Sequence, residues 1–304
     1  MTRPLLGLLT LAGAVAVAAG IPFAGSAATG AGSITFMGNA SGNYDIYSMS
    51  ADGSGVTDLT NSPASDQMPS WSPDRTQIAF STRIAGNRDI YVINADGSGL
   101  LRITTDLGSD AFPAWSPDGS RIIYTTNVGP QFDVYTAAAD GTGDVGQLTN
   151  DAGFDAEPSY SPDGEKIVFT HTDAPLPFLG PSVIWVMHAD GTQAKPLTPD
   201  DLHAAFPDWS PDGSRIVFAN NVCPTCDLSD IYTINPGGNH LQQLTHDLGN
   251  NLQPRWSPDG SMIVFTNTSD FETFNEDIWT MGADGSNPVD LTNSPTSDEQ
   301  FPDW

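Results

Sequence analysis

The residues in this chain best suited to chemistry are its acids. Asp and Glu number 37 against 10 Lys and Arg, for a formal net charge of −27. One set recurs at a fixed register. Three residues before the Pro of a repeated Pro-x-aromatic element stand Asp66, Asp110, Asp155, Ala204, Asn251 and Glu299. Four carboxylates and an amide around one opening suit Ca²⁺, a hard cation that takes about six to eight oxygen ligands. The calcium set would be Asp66, Asp110, Asp155 and Glu299, with Asn251 completing a binding ring. The same ring could receive a Lys or Arg from a partner. Each acid could also cap its own loop through backbone N–H groups.

Other chemistries find little support. Cys223 and Cys226 form the only cysteine pair, spaced as C-x-x-C. Redox motifs of that spacing sit at a strand-to-helix junction, and zinc needs two further ligands. In an exported chain the pair reads as a disulfide pinning a loop. The five histidines (171, 188, 203, 240 and 246) show no metal-ligand spacing. There is no G-x-S-x-G elbow and no phosphate-cradling P-loop. Acids are plentiful, but nothing in their spacing selects a catalytic pair, so no catalytic residue is assigned.

The charge also selects partners. Phosphate binding needs a basic footprint, so nucleic acid and anionic membrane surfaces are excluded as expected partners. Cations, or a protein or peptide with a basic patch, match the field. Acidity also keeps an exported protein soluble. The N-terminus fits export: Arg3, an apolar run from Leu5 to Ala19, then small residues up to Ala28. This predicts a secretory signal peptide over 1–28 and a secreted or periplasmic mature chain over 29–304. No later stretch reaches membrane-spanning length. The expected state is a monomer.

The elements that must position the acids are repeats. Pro113-Ala114-Trp115-Ser116-Pro117-Asp118-Gly119-Ser120-Arg121-Ile122-Ile123-Tyr124 recurs as Pro207-Asp208-Trp209-Ser210-Pro211-Asp212-Gly213-Ser214-Arg215-Ile216-Val217-Phe218. The aromatics fall at 71, 115, 160, 209, 256 and 304, a period of 44 to 49 residues. An Asp-Ile-Tyr-like step follows, as in Asp45-Ile46-Tyr47 and Asp89-Ile90-Tyr91, but with Val183 in place of Asp in the fourth copy. A Gly turn and a Leu-Thr or Ile-Thr pair complete each unit. Alternating apolar runs between Asp-Gly turns predict four short antiparallel strands per repeat, which is the signature of a propeller blade. The Asp before Ile-Tyr is expected to bond structurally at a strand start.

The aromatic precedes its Ile by seven residues in every complete copy. The first such Ile is Ile34, so its aromatic should stand at 27, where the sequence has Ala27. The unpaired Pro302–Trp304 can supply it. The prediction is an all-β, six-bladed propeller of four-stranded antiparallel blades, closed by the C-terminal first strand joining the N-terminal second to fourth strands.

From Gly32 to Trp304 the P-x-W-S-P-D-G-x-x-I-x-F, D-I-Y and L-T elements resemble the TolB-like (PD40, WD40-like) propeller repeats. That resemblance implies the propeller fold. It spans several functions, including binding proteins, peptidase gatekeeper domains and lyases. Two readings follow. The first is a secreted, non-catalytic interaction module that binds a protein, a peptide or a cation-bridged ligand at an acidic loop face around the central channel. The second is a propeller enzyme, a carbohydrate lyase or metal-dependent lactone hydrolase, with its site in the channel. Loop chemistry favours the first, because the loops leading into each repeat's first strand carry many acids and no Lys or Arg.

Overall fold

A computed structural model describes residues 32–173, 181–223, 228–246, 249–268 and 275–304, without the side chains of 222 and 223. The signal-peptide segment and the Cys223–Cys226 pairing lie outside the described residues. Alternation of apolar and polar side chains between Asp-Gly turns produces twenty-four strands among the described residues. Blade I joins β1 (Ser33–Gly38), β2 (Asp45–Ser50) and β3 (Thr57–Asp58) to the last strand, β24 (Glu299–Asp303). Blade II is β4 (Asp66–Trp71), β5 (Gln77–Thr82), β6 (Asp89–Asn94) and β7 (Leu101–Arg102). Blade III is β8 (Ala111–Trp115), β9 (Arg121–Thr126), β10 (Asp133–Ala138) and β11 (Val145–Gln147). Blade IV is β12 (Phe154–Tyr160), β13 (Lys166–Thr172), β14 (Val183–His188) and β15 (Lys195–Pro196). Blade V is β16 (Ala204–Trp209), β17 (Ile216–Cys223), β18 (Leu228–Ile234) and β19 (Gln242–Gln243). Blade VI is β20 (Asn250–Trp256), β21 (Met262–Thr268), β22 (Asp277–Gly282) and β23 (Val289–Asp290).

The predicted closure is present. β24 pairs antiparallel with β1, bringing Asp303 opposite Thr35 and Glu299 opposite Gly38. The core is not one mass but six apolar clusters, one per blade junction. Trp71 packs with Met37, Ile46 and Leu59 of blade I and with Ile78 and Phe80 of its own blade. Trp304 closes the last junction against Ile34, Phe36 and Val264. Burying such side chains stabilises by about 25 cal/mol for each Å² removed from water. The repeat aromatic is therefore the mortar between blades.

The turns after each first strand are fixed by their own side chains. Asp118 Oδ1 accepts from Ser116 Oγ at 2.6 Å and from Ser120 N at 3.0 Å. These bonds favour the carboxylate, and the hydroxyl of Ser116 leads in lowering Asp118 to about 2. The same Ser–Asp bond recurs at Ser72–Asp74, Ser161–Asp163, Ser210–Asp212 and Ser257–Asp259. This face is built by repetition.

Candidate binding site at the centre of the propeller

Each first strand carries a β-bulge, and the bulge decides which side chains reach the axis. Pairing with the second strand slips once in every blade, between Gln67 and Ser70 in blade II and between Ala156 and Ser159 in blade IV. The residue just before Pro takes a positive φ in all six: Met68 57°, Phe112 53°, Glu157 57°, Phe206 56°, Gln253 55° and Phe301 51°. Left-handed backbone at a bulky residue costs about 1–3 kcal/mol and persists only where the surroundings hold it.

What holds it is a plug. Phe112, Phe206 and Phe301 come from alternate blades and meet one another, with ring centroids 5.8–6.3 Å apart. The other three blades supply Met68, Glu157 and Gln253. Glu157 Oε2 accepts from Thr170 Oγ1 at 2.7 Å and from the Phe206 backbone N–H at 2.7 Å. Gln253 Oε1 accepts from Thr266 Oγ1 at 2.7 Å and from the Phe301 N–H at 2.9 Å. A six-blade ring thus carries a pseudo-threefold plug.

The acids expected to ring the channel mouth are shielded from solvent. Asp66, Asp110, Asp155, Asn251 and Glu299 are all buried, one to each blade junction. Each reaches the blade before it. The Asp66 N–H donates to Tyr44 O and the Asp110 N–H to Arg88 O, both at 2.8 Å. Asn251 Nδ2 donates to Asp230 Oδ1 at 3.4 Å. Burial, opposed by Thr104 and Thr126, pushes Asp110 up to about 6, and burial pushes Glu299 up to about 7. The side chains of Asp66, Asp110, Asp155 and Glu299 do not converge. Among the described residues, only Asp151, Asp155 and His171 bring three potential ligand atoms within 4.8 Å of one another.

The Asp of each Asp-Ile-Tyr step is structural, as its recurrence suggested. Asp45 Oδ1 accepts from Thr60 Oγ1 at 3.2 Å and from Ser62 N at 2.9 Å. Asp277 Oδ1 does the same with Thr292 Oγ1 at 3.0 Å and Ser294 N at 2.8 Å. These aspartates tie the second hairpin of a blade to the strand that starts the next.

His171 stands at no regular spacing from another His, Asp or Glu that would mark it in sequence. β13 carries it across from Asp155, its Cα partner on β12. Nδ1 lies 2.7 Å from Asp155 Oδ1 and 4.0 Å from Asp151 Oδ2, and Nε2 lies 3.4 Å from Asp173 Oδ1. The ring also packs on Trp185 at 4.3 Å. Burial alone would lower its pKa, but the bond and charge of Asp155, with Asp151 and Asp173, outweigh burial and raise it. The recess beside it is lined by Trp185, Pro196 and Asp200.

The two ends of the axis differ. At the turn face, a cavity of about 430 Å³ is lined by the six-fold set of aromatics and by Asp208, Arg255 and Asp303. Its carboxylates are occupied. Asp208 Oδ2 accepts from Trp256 N at 2.9 Å, Asp303 Oδ2 accepts from Trp71 N at 2.6 Å, and Arg255 Nε stands 3.9 Å from Asp303 Oδ1. Arg75 stacks over Trp71 at 4.4 Å and donates to Ser33 O.

At the loop face, a smaller hollow of about 130 Å³ lies beside the plug. Phe112, Phe132, Phe154, Ala156 and Ala205 make its apolar wall, and Glu157 lines it with Thr125 and Thr170. Burial pushes the Glu157 carboxyl up to about 7. The sequence signal for this site was the residue before each Pro, where Met, Phe, Glu, Phe, Gln and Phe alternate.

No curated protein matches the chain in sequence. Solved structures do match. TolB from Acinetobacter baumannii aligns at 23% identity and a TM-score of 0.76, over 92% of this chain and 67% of that one. A chain of a nidogen/laminin complex aligns at 14% identity and a TM-score of 0.70, over 89% of this chain and 97% of that one. An oligogalacturonate lyase in complex with manganese aligns at 16% identity and a TM-score of 0.59, over 85% and 73%. At these identities the likeness shows the fold alone. In sequence, the PD40 family model, described as the TolB beta propeller domain, matches residues 66–148, 106–226 and 180–303. The chain therefore belongs to the PD40 family of TolB β-propeller domains.

Proposed function

We propose that this propeller is an extracytoplasmic, non-catalytic interaction module that binds a protein or peptide partner on its loop face. One observation carries the reading. Ile84, Leu107 and Val128, large apolar side chains in the loops of blades II and III, are exposed there, Leu107 at 96%. The same face exposes Asp151, Asp173, Asp200 and Asp201. Apolar anchors beside like charge suit a partner with complementary basic and apolar groups. The turn-face mouth, by contrast, spends its carboxylates on its own backbone.

The test is affinity capture from the native secretome with matched variants. Leu107→Glu combined with Val128→Glu should abolish recovery of a partner that wild type captures. Arg215→Glu, on the turn face, should leave it unchanged. Loss with Arg215→Glu and retention with the loop-face pair would place the interface on the other side.

A second reading, a metal-dependent propeller enzyme, is favoured by the Asp151–Asp155–His171 corner. Carboxylate and imidazole ligands together suit a divalent cation such as Mn²⁺ or Ca²⁺. Calorimetric titration with each metal should show saturable binding that Asp151→Asn weakens. Absence of binding for both metals would remove this reading.

A further inference from the structure

We propose that the hollow beside Glu157 is a binding site for a small organic ammonium compound, with its cation on the Glu157 carboxylate and a compact apolar body against Phe112, Phe132 and Phe154. This goes beyond the macromolecular partner and does not depend on it.

The repeats supply an internal control. Gln253 occupies the same bulge position as Glu157, two blades on, and accepts the same two hydrogen bonds through a neutral amide. The plug therefore does not require a carboxyl at 157. Both bonds to Glu157 fall on Oε2, and among the described residues Oε1 takes none. Yet Glu157 is only 4% exposed. That second oxygen is left for a cation or donor in the hollow that Glu157 lines.

The walls define the rest of the ligand. Phe112, Phe132 and Phe154 are half-buried, so the aromatic surface is open to an entering molecule. Phe132 and Phe154 lie 6.0 Å apart, presenting ring surface to one guest. An ammonium group is attracted by aromatic faces as well as by a carboxylate. Volume limits the body: an apolar cavity of about 150 Å³ holds one benzene-sized ring, and this one offers about 130 Å³. The surrounding acids concentrate cations and repel anions. Carboxylate, aromatic wall and single-ring volume together select a primary amine on one small ring or branched alkyl group. A neutral analogue would lose the charged contact, and an anion would be excluded.

Benzylamine is a direct probe, with benzyl alcohol as its neutral isostere. Titration of the whole chain by NMR or calorimetry should show saturable benzylamine binding. Benzyl alcohol should bind about tenfold more weakly or less, the loss of one charge-assisted hydrogen bond. Glu157→Gln should fold, on the Gln253 precedent, and bring benzylamine down to the level of benzyl alcohol. Ala205→Leu, which fills the hollow and leaves the Glu157 carboxyl in the chain, should block both ligands and provides the readout if the Gln variant fails to fold. Equal affinity of wild type and Glu157→Gln for benzylamine would overturn the proposal. So would benzylamine binding retained in Ala205→Leu, or no binding to wild type.

Discussion

The backbone N–H of Phe206 donates to Glu157 Oε2 at 2.7 Å, so a residue of blade V is held by a side chain of blade IV. Gln253 holds Phe301 the same way, from blade VI to blade I. These bonds fix the left-handed backbone that delivers the phenylalanines to the axis. Glu157→Ala should orphan the buried Thr170 hydroxyl and the Phe206 N–H, at about 1–3 kcal/mol each. Glu157→Gln should stay within about 1 kcal/mol of wild type. Urea unfolding of the two variants checks this, and equal midpoints would mean that the acceptor at 157 is not what holds the plug.

Stability should fall as pH rises from about 4 to 7. Burial, ahead of the opposing Thr104, Thr126 and Arg255 contributions, raises Asp110 and Asp303 to about 6. Burial likewise raises Glu276 and Glu299 to about 7. An unfolded carboxyl ionises near 4, so in this window the folded state holds more protons. Stability from these groups is complete below the unfolded value and is lost as pH climbs through the folded one. A shift of two units is worth on the order of 3 kcal/mol. The turn aspartates act oppositely: Asp118, lowered to about 2, loses its contribution as pH falls below about 4. Melting temperature at constant ionic strength should therefore peak at about pH 4. Asp110→Asn should flatten the alkaline slope. A melting temperature that rises steadily to pH 8 would contradict the assignment.

How much of this was legible in the sequence depended on what each position repeats. Trp71, Trp115 and Trp304 recur because every junction needs one large apolar wedge, and their spacing alone gave the blade count and the closure. The junction acids recur too, but a period cannot show which way a side chain turns. The bulge at Met68, Phe112 and their equivalents shifts the pleat by one residue. It buries Asp66 and Asp110 between blades and sends the residue before Pro to the axis. The phenylalanine plug was written in plain order at 112, 206 and 301, yet its meaning needed three alternate blades brought to one point. The His171 corner needed β12 and β13 paired before Asp155 and Asp151, sixteen and twenty residues before the histidine, became its neighbours.

Gly97 should resist substitution more than its surface position suggests. It sits at a φ of +83°, and a Cβ there would come 2.4 Å from Leu59 O in the adjacent blade. Left-handed φ alone makes Ala unfavourable by more than about 1 kcal/mol, and contact with backbone cannot be relieved by a rotamer change. Gly143 has a similar φ of +81° but meets nothing within 4 Å. Gly97→Ala should therefore lower the melting temperature clearly more than Gly143→Ala. Equal shifts would mean that φ, and not the blade contact, sets the cost.

Closure of the ring should be the most costly feature to lose. Trp304, the last residue, is 8% exposed and packs on Ile34, Phe36 and Val264, so it links blades I and VI. β24 before it covers the edge of β1 that would otherwise present unpaired N–H and C=O groups. Trp304→Ala removes only the wedge. A buried Trp→Ala change typically costs about 3–5 kcal/mol. Deleting 299–304 removes wedge and strand together, and should leave a chain that both melts earlier and aggregates through the bared edge. Light scattering during thermal unfolding separates the two effects. The truncated chain should scatter well before the point variant does, because only the former exposes β1. If both variants scattered alike at matched loss of stability, the edge would not be the hazard, and β24 would serve packing rather than closure.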